Sequence, residues 1–295
     1  MTTRLFILVG PTASGKTELA LALAKKFPFE IVNADSLQIF RHLDIGTAKP
    51  TPEQLRSVPH HLIDVLDPHE PATAAWYAKE AVHTIAGIAG RNHLPLVVGG
   101  SGFYLRAIEH PPQAEATDFE TSAVSENDYE FLKTNDPEAA RKIHPNDRYR
   151  IGRAVSLLRK GVHPSERWEA ARNAPSPFET HWLGIDLPRD GLHRRIDRRM
   201  ERMFSAGLID ETRNVLERFP ASEKRLSRSI GYAQALRVVR GTAPLAPMIE
   251  EAKARSRQLA KRQITWFRRE SRIASISGTN LFSDAVREIE RVLTP

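Results

Sequence analysis

The chain has no cysteine among its 295 residues. That excludes disulfides, thiolate zinc sites and a cysteine nucleophile. It also has no apolar run near the ~20 residues of a membrane span, so no membrane partner is expected. The amino terminus, MTTRLFILVG, offers one Arg and a short apolar stretch. Cleavage of a leader there would destroy the glycine-rich loop that follows, so the expected location is cytoplasmic. His60-His61 and His69-Glu70 lack metalloprotease spacing and read as ordinary polar residues. Acid is unevenly spread. Glu115–Glu138 holds eight acids and one base, a net −7, which leaves +14 on the rest against +7 for the whole chain. Such an excess suits a polyanionic partner or a generally basic surface, and charge alone does not separate the two.

Against these absences stands one strong motif. "GPTASGKT", Gly10–Thr17, matches G-x-x-x-x-G-K-[ST]. Its backbone N–H groups converge on phosphate oxygens, helped by the start of a helix. Lys16 neutralises the phosphates, and Thr17 reaches a Mg²⁺ that bridges them. Around it, Arg4–Val9 reads as a buried strand, Lys16–Lys26 as a helix and Phe29–Asn33 as a second strand. His61–Val65 is a third candidate strand, Ala74–Ala89 a helix and Leu94–Val98 a further strand. Apolar strands alternating with helices predict an α/β fold: a P-loop NTPase-like parallel sheet flanked by helices, its ligand at the carboxyl ends of the strands.

From Glu109 the pattern changes. Asp136–Ile143 and Asn146–Lys160 read as helices, the second capped by Asn146, and Pro164, Pro175 and Pro177 break the chain. His181–Leu187 returns to a strand pattern. The expectation is an α-helical insertion, residues 110–178, inside a core formed by 1–109 and 179–295. The rest is mainly helical, at Asp190–Ser205, Leu208–Phe219, Pro247–Glu270 and Ser283–Leu293, with a short strand at Arg272–Ile276.

Asp35 follows the second strand on the ligand side. It serves there as general base or metal ligand, or else caps a helix, and both readings stand. The fourth strand ends "GGSGFY", where a hydrolase would place a Mg²⁺-holding acid. This counts against an ordinary ATPase or GTPase and leaves Ser101 as a hydroxyl beside a close backbone approach. Asp64 is a second, weaker Walker-B candidate. Lys253, Arg257, Lys261 and Arg268 form a helical stripe, with Arg255, Arg262 and Arg269 repeating every seven residues. The stripe suits a phosphate backbone or a solvated face; Trp266 and Phe267 within it could stack on bases but read more readily as core. The cluster Arg194, Arg195, Arg198, Arg199 and Arg202, interleaved with Asp197 and Glu201, reads as an ion-paired helix face.

Taken together, "GPTASGKT", "ADSLQIFRHLDIGTAKP", "HHLIDVLDP", "VVGGSGFYLRA", "DPEAARKIHPNDRYRIGRA", "SIGYAQ" and "SRQLAKRQITWFR" resemble the tRNA isopentenyltransferase family, the tRNA dimethylallyltransferases. They occur in family order and cover most of the chain, weakly at Glu109–Asn135 and after Arg269. The resemblance implies transfer of the prenyl group of dimethylallyl diphosphate to N6 of the adenosine at about position 37 of tRNA, beside the anticodon, releasing diphosphate. It implies that Gly10, Pro11, Thr12, Ala13, Ser14, Gly15, Lys16 and Thr17 bind diphosphate, with Mg²⁺ as cofactor on Thr17. It makes Asp35 the base, with Ser101 and Lys16 catalytic beside it. For the tRNA anticodon stem-loop it implies Asp35, Ser36, Leu37 and Gln38; Tyr149, Arg150, Ile151, Gly152 and Arg153 from a lid-like insertion; Ile230, Gly231 and Tyr232; and Lys261, Arg262, Gln263 and Arg268. A monomer is expected.

The chain departs from the family in places. Ser101 and Ser256 stand where the family usually has Thr. The run after Arg106 is shortened and acidic. The zinc finger of eukaryotic relatives is missing, which implies a bacterial type. The competing readings are a P-loop small-molecule kinase, an adenylate isopentenyltransferase acting on a free nucleotide, and a regulatory nucleic-acid-binding NTPase. The kinase leaves the basic carboxyl-terminal helix unexplained, the adenylate enzyme should lack the insertion, and the NTPase needs a hydrolytic acid.

Overall fold

The computed structural model describes residues 2–111, 124–125, 127–277 and 280–294. Much of the acidic run before Asp128 therefore lies outside the described residues. Among those described, six strands form one sheet: β1 (Thr3–Val9), β2 (Phe29–Ala34), β3 (His60–His61), β4 (Leu94–Gly99), β5 (Phe178–Asp186) and β6 (Ile273–Ser277). Their order is β3-β2-β4-β1-β5-β6 and every pair is parallel. β1, central and paired on both sides, has its last five residues buried, as a sheet covered on both faces requires.

The helices are α1 (Lys16–Ala24), α2 (Pro52–Ser57), α3 (Ala74–Gly90), α4 (Gly102–Glu109), α5 (Asp128–Asn135), α6 (Pro137–Lys142), α7 (Arg148–Leu158), α8 (Pro164–Asn173), α9 (Arg189–Ser205), α10 (Leu208–Arg218), α11 (Glu223–Leu226), α12 (Tyr232–Val239), α13 (Leu245–Phe267) and α14 (Leu281–Leu293). One sheet face packs on α1 and α14 through Leu19, Leu23, Val286 and Ile289. The other meets α3, α4 and the helices after β5, through Tyr77, Ile85, Leu105, Met203 and Tyr232. Helices α5–α7 gather around their own apolar cluster of Leu132, Ala139, Ile151 and Val155, against which Trp168 of α8 packs.

The third strand is shorter than its apolar run predicts. Leu62 and Asp64 have positive φ, +60° and +56°, which ends β-pairing after His61. Pro164, read as a breaker, instead opens α8 from its first turn, where its missing N–H costs nothing. The cap of α7 is Asp147, whose carboxylate accepts from Arg150 N at 3.1 Å, rather than Asn146.

Candidate active site

Everything chemical converges at the carboxyl end of the sheet, between β1 and β4. The phosphate loop turns there with Ala13 at φ +63° and Gly15 at +94°, and Gly15 opens α1. Lys16 Nζ donates to Gly10 O and Pro11 O, 2.9 Å each. Burial pushes its pKa down to about 8; Arg199 adds to the fall, while Asp35 and Glu18 oppose it. The loop is gripped from outside. Thr12 N donates to Gln263 Oε1 at 2.9 Å, and Gln263 Nε2 donates to Gly100 O at 3.1 Å. Gln263 thus ties the loop to the end of β4. A Cβ on Gly100 would lie 2.3 Å from that amide, which is why the strand ends without a side chain. Gly102 is likewise closed by the Trp266 ring, 2.5 Å from where its Cβ would be.

Asp35 caps no helix. Its Oδ1 accepts from Leu37 N at 2.9 Å and folds a turn, leaving the second carboxylate oxygen available at the cavity wall. Behind it, Asn33 Oδ1 accepts from Asp35 N at 3.0 Å, and Asn33 O accepts from Tyr77 OH at 2.9 Å. Tyr77 stacks on Tyr104 with centroids 3.9 Å apart. Burial raises both phenols, Tyr104 to about 12, with Arg225 opposing and Asp35 adding, so they stay neutral donors. Ser101 heads α4 without a side-chain capping bond and lines the same cavity.

Arg199 is the residue that sequence reasoning missed. Its Nη1 donates to Thr12 Oγ1 at 2.9 Å and its Nη2 to Thr47 O at 3.2 Å; Nε is buried without a partner among the described residues. Burial lowers its pKa. The ion-paired face expected of this cluster exists only in part: Asp197 pairs with Arg257, and Glu201 with Lys253. Both acids turn to α13, leaving Arg195, Arg198, Arg199 and Arg202 on the cavity. One signal was present in the sequence. Leu192, Ile196 and Met203 are buried, and Arg199 completes their i, i+4, i+7, i+11 spacing.

Other expected contacts divide. Thr12–Thr17, Asp35–Gln38, Arg150, Ile230, Arg262 and Gln263 all line one cavity of about 2530 Å³. Gly10 and Pro11 lie behind the loop, buried. Tyr149 and Arg153 are exposed, with the guanidinium 5.9 Å from the ring centroid. Ile151 and Gly152 are not available to RNA, because they are buried inside the insertion. Tyr232 is also corrected: it is fully buried, its hydroxyl 2.6 Å from Glu211, and the preceding Gly231 is buried at φ +90°. The basic stripe of α13 breaks in the same way. Lys253 and Arg257 are paired to α9, while Lys261 and Arg268 are exposed. Trp266 and Phe267 are half-buried, packed on the core as expected and also facing the cavity. Asp64 pairs with Lys49, which leaves it no Walker-B role.

Thirteen Lys and Arg side chains line the cavity against six carboxylates. Its volume is more than twice that of ordinary small-molecule pockets, about 300–1,000 Å³. A cationic cleft of that size around a phosphate loop suits a macromolecular polyanion. A family model described as IPP transferase matches residues 38–270, spanning Asp44–Lys49, Ser101, α9 and Gln263.

The chain belongs to the IPP transferase family.

Similar curated relatives include a tRNA dimethylallyltransferase of Anaeromyxobacter dehalogenans, 42% identical across 99% of this chain and 98% of that one. One from Koribacter versatilis is 41% identical across 93% and 92%. Among solved structures, a tRNA delta(2)-isopentenylpyrophosphate transferase from Staphylococcus epidermidis superposes with a TM-score of 0.73 at 31% identity, covering 98% of this chain and 99% of that one. A eukaryotic dimethylallyltransferase acting on tRNA gives 0.83 at 25% identity, covering 99% and 78%. The fold is thus the P-loop NTPase-like parallel sheet of these IPP transferases. No helix among the described residues is long and apolar enough to cross a membrane.

Proposed function

We infer that this chain transfers the dimethylallyl group of dimethylallyl diphosphate to N6 of the adenosine beside the anticodon of tRNA, at about position 37, releasing diphosphate. The observation that carries this reading is the phosphate loop opening into a cationic cleft of about 2530 Å³, with Gly99-Gly100-Ser101 in place of a hydrolytic acid. The loop amides, Lys16 and Arg199 surround the diphosphate and stabilise the charge that develops on it as the C1–O bond breaks. The N6–C1 bond forms as that bond breaks, and the free oxygen of Asp35 takes the amine proton. Ser101 donates to the diphosphate or the acceptor. The target adenine leaves its stack to reach this depth.

A divalent cation fits the donors present. Thr17 and Asp35 are at hand, and the described residues include no group of three or more His, Asp or Glu placed to hold a metal ion. Mg²⁺ would therefore be held mostly by phosphate oxygens, with Thr17, and would neutralise leaving-group charge. Residues 110–178 act as an RNA-contacting lid over a core of 1–109 and 179–295; Arg150 at the cavity edge supports this. The working form in this reading is a monomer in the cytoplasm.

The test is transfer of labelled dimethylallyl groups to unmodified tRNA, with AMP as the competing acceptor. Transfer to tRNA is expected. Transfer to AMP alone would make this an adenylate isopentenyltransferase, and ATP turnover without prenyl transfer would sink the reading.

A further inference from the structure

Glu211 of α10 belongs to none of the phosphate- or RNA-binding segments, yet it makes the densest set of hydrogen bonds near the cleft. Its Oε2 accepts from Asp44 N at 3.1 Å and Ile45 N at 2.8 Å, and its Oε1 from Gly46 N at 3.1 Å. Tyr232 OH adds a fourth bond at 2.6 Å. Burial, with Glu211 itself adjacent, raises the Tyr232 phenol far above its ordinary range, so it remains a donor. Three successive amides converging on one anion form a nest, of the kind that elsewhere binds phosphate. Here the anion is the protein's own carboxylate, and the result is a fixed loop. Gly46 lets that loop come close: a Cβ there would lie 2.4 Å from the Tyr232 ring.

The loop's next residue carries the effect into the cleft. Thr47 O accepts from Arg199 Nη2 at 3.2 Å and from Gln38 Nε2 at 3.2 Å. Arg199 has no carboxylate partner among the described residues; Thr12 and Thr47 alone fix its guanidinium. We propose that Glu211 is a positioning residue for the diphosphate: by caging Asp44–Gly46 it sets the Thr47 carbonyl, which aims Arg199 at the phosphate cradle. The inference rests on the cradle taking a diphosphate. A merely structural Glu211 would disturb Gln38, Lys49 and the loop as a whole, and its loss would add to that of Arg199. A Glu211 acting through Arg199 has nothing left to act on once Arg199 is gone.

The experiment is a double-mutant cycle on Glu211→Gln and Arg199→Gln, reading calorimetric affinity for inorganic diphosphate alongside kcat and the KM for tRNA. Each single variant is expected to weaken diphosphate about tenfold, with the KM for tRNA changed less than threefold. The double variant should lie within twofold of Arg199→Gln. Losses that multiply in the double variant, or a Glu211→Gln protein that binds diphosphate like the wild type, overturn the proposal. Should Glu211→Gln lack a cooperative unfolding transition, Tyr232→Phe carries the same cycle with a threefold expected loss. Wild-type protein that neither binds diphosphate nor prenylates tRNA would instead defeat the function itself, which keeps the two failures apart.

Discussion

Glu30 at one end of the parallel sheet, and Lys16 and Arg199 at the other, are buried charges handled in opposite ways. At the amino end, Glu30 is buried on β2 and fully answered: His61 Nε2 lies 2.6 Å away, His93 Nδ1 2.7 Å and Arg91 Nη2 2.7 Å. Burial alone would raise its pKa, but hydrogen bonds from Arg91, His61 and His93 outweigh that and hold it at about 2. At the carboxyl end, Lys16 and Arg199 rest on carbonyl and hydroxyl oxygens, with no carboxylate bonded to either among the described residues. Closed pairs hold a fold together; cations without a carboxylate are left open to an anion, which in the proposed function is the substrate's diphosphate. The same residue types do both, and the loops at each end decide which.

The comparison breaks most sharply at Asp35. Asp35→Asn keeps the acceptor for Leu37 N but removes the proposed base, and transfer is expected to fall about 10²–10⁴-fold with tRNA binding intact. A rate within tenfold of wild type would show that the turn, not the proton, is what Asp35 supplies.

At the other end, Glu30→Gln leaves Arg91 and two histidines without their anion. It should lower stability by about 1–3 kcal/mol and leave kcat unchanged, as thermal melts and transfer assays will show. Because the folded Glu30 pKa is depressed, its contribution is fully present above the usual carboxylate range. It is lost as pH falls from about 4.5 toward about 2. Loss of activity without loss of stability would erase the contrast between the two ends.

Lys16 gives a smaller, pH-dependent effect. With its pKa near 8 in the free protein, it must regain a proton to hold diphosphate above that pH. Affinity for inorganic diphosphate should therefore fall by up to about tenfold per pH unit above 8. Lys16→Arg should flatten this limb, because a guanidinium stays charged.

The smallest effect is expected at Lys261, exposed on α13. Lys261→Ala should reduce the salt slope of tRNA binding by about one and leave diphosphate affinity unchanged. An unchanged slope would make that part of the stripe a solvated face.

How much of this was legible beforehand differs by kind of signal. β1, β2 and β4 lie within a residue of their expected bounds, while β5 begins three residues earlier than its expected start at His181. α4 was missed because Gly100 and Gly102 look like a loop, although Gln263 and Trp266 occupy the space beside them. The phosphate loop, Asp35 and Ser101 are local in sequence. Arg199 is not: Asp197 and Glu201, its neighbours on α9, were free to pair with it and instead pair with α13. Tyr232 misleads in the other direction: it lies in a segment expected to contact RNA, yet it faces Glu211 in the core. Gln263, expected to contact RNA, lines the cavity, and its amide has a further role in closing the phosphate loop.

That last bond joins residues 251 positions apart. During synthesis the phosphate loop therefore leaves the ribosome long before its clamp. For most of translation Thr12 N lacks this partner, and Arg199, 187 positions after Thr12, comes late as well. A chain that stops short of α13 carries the motif in full but lacks this clamp. The tie between the loop and the end of β4 is therefore complete only once α13 has docked.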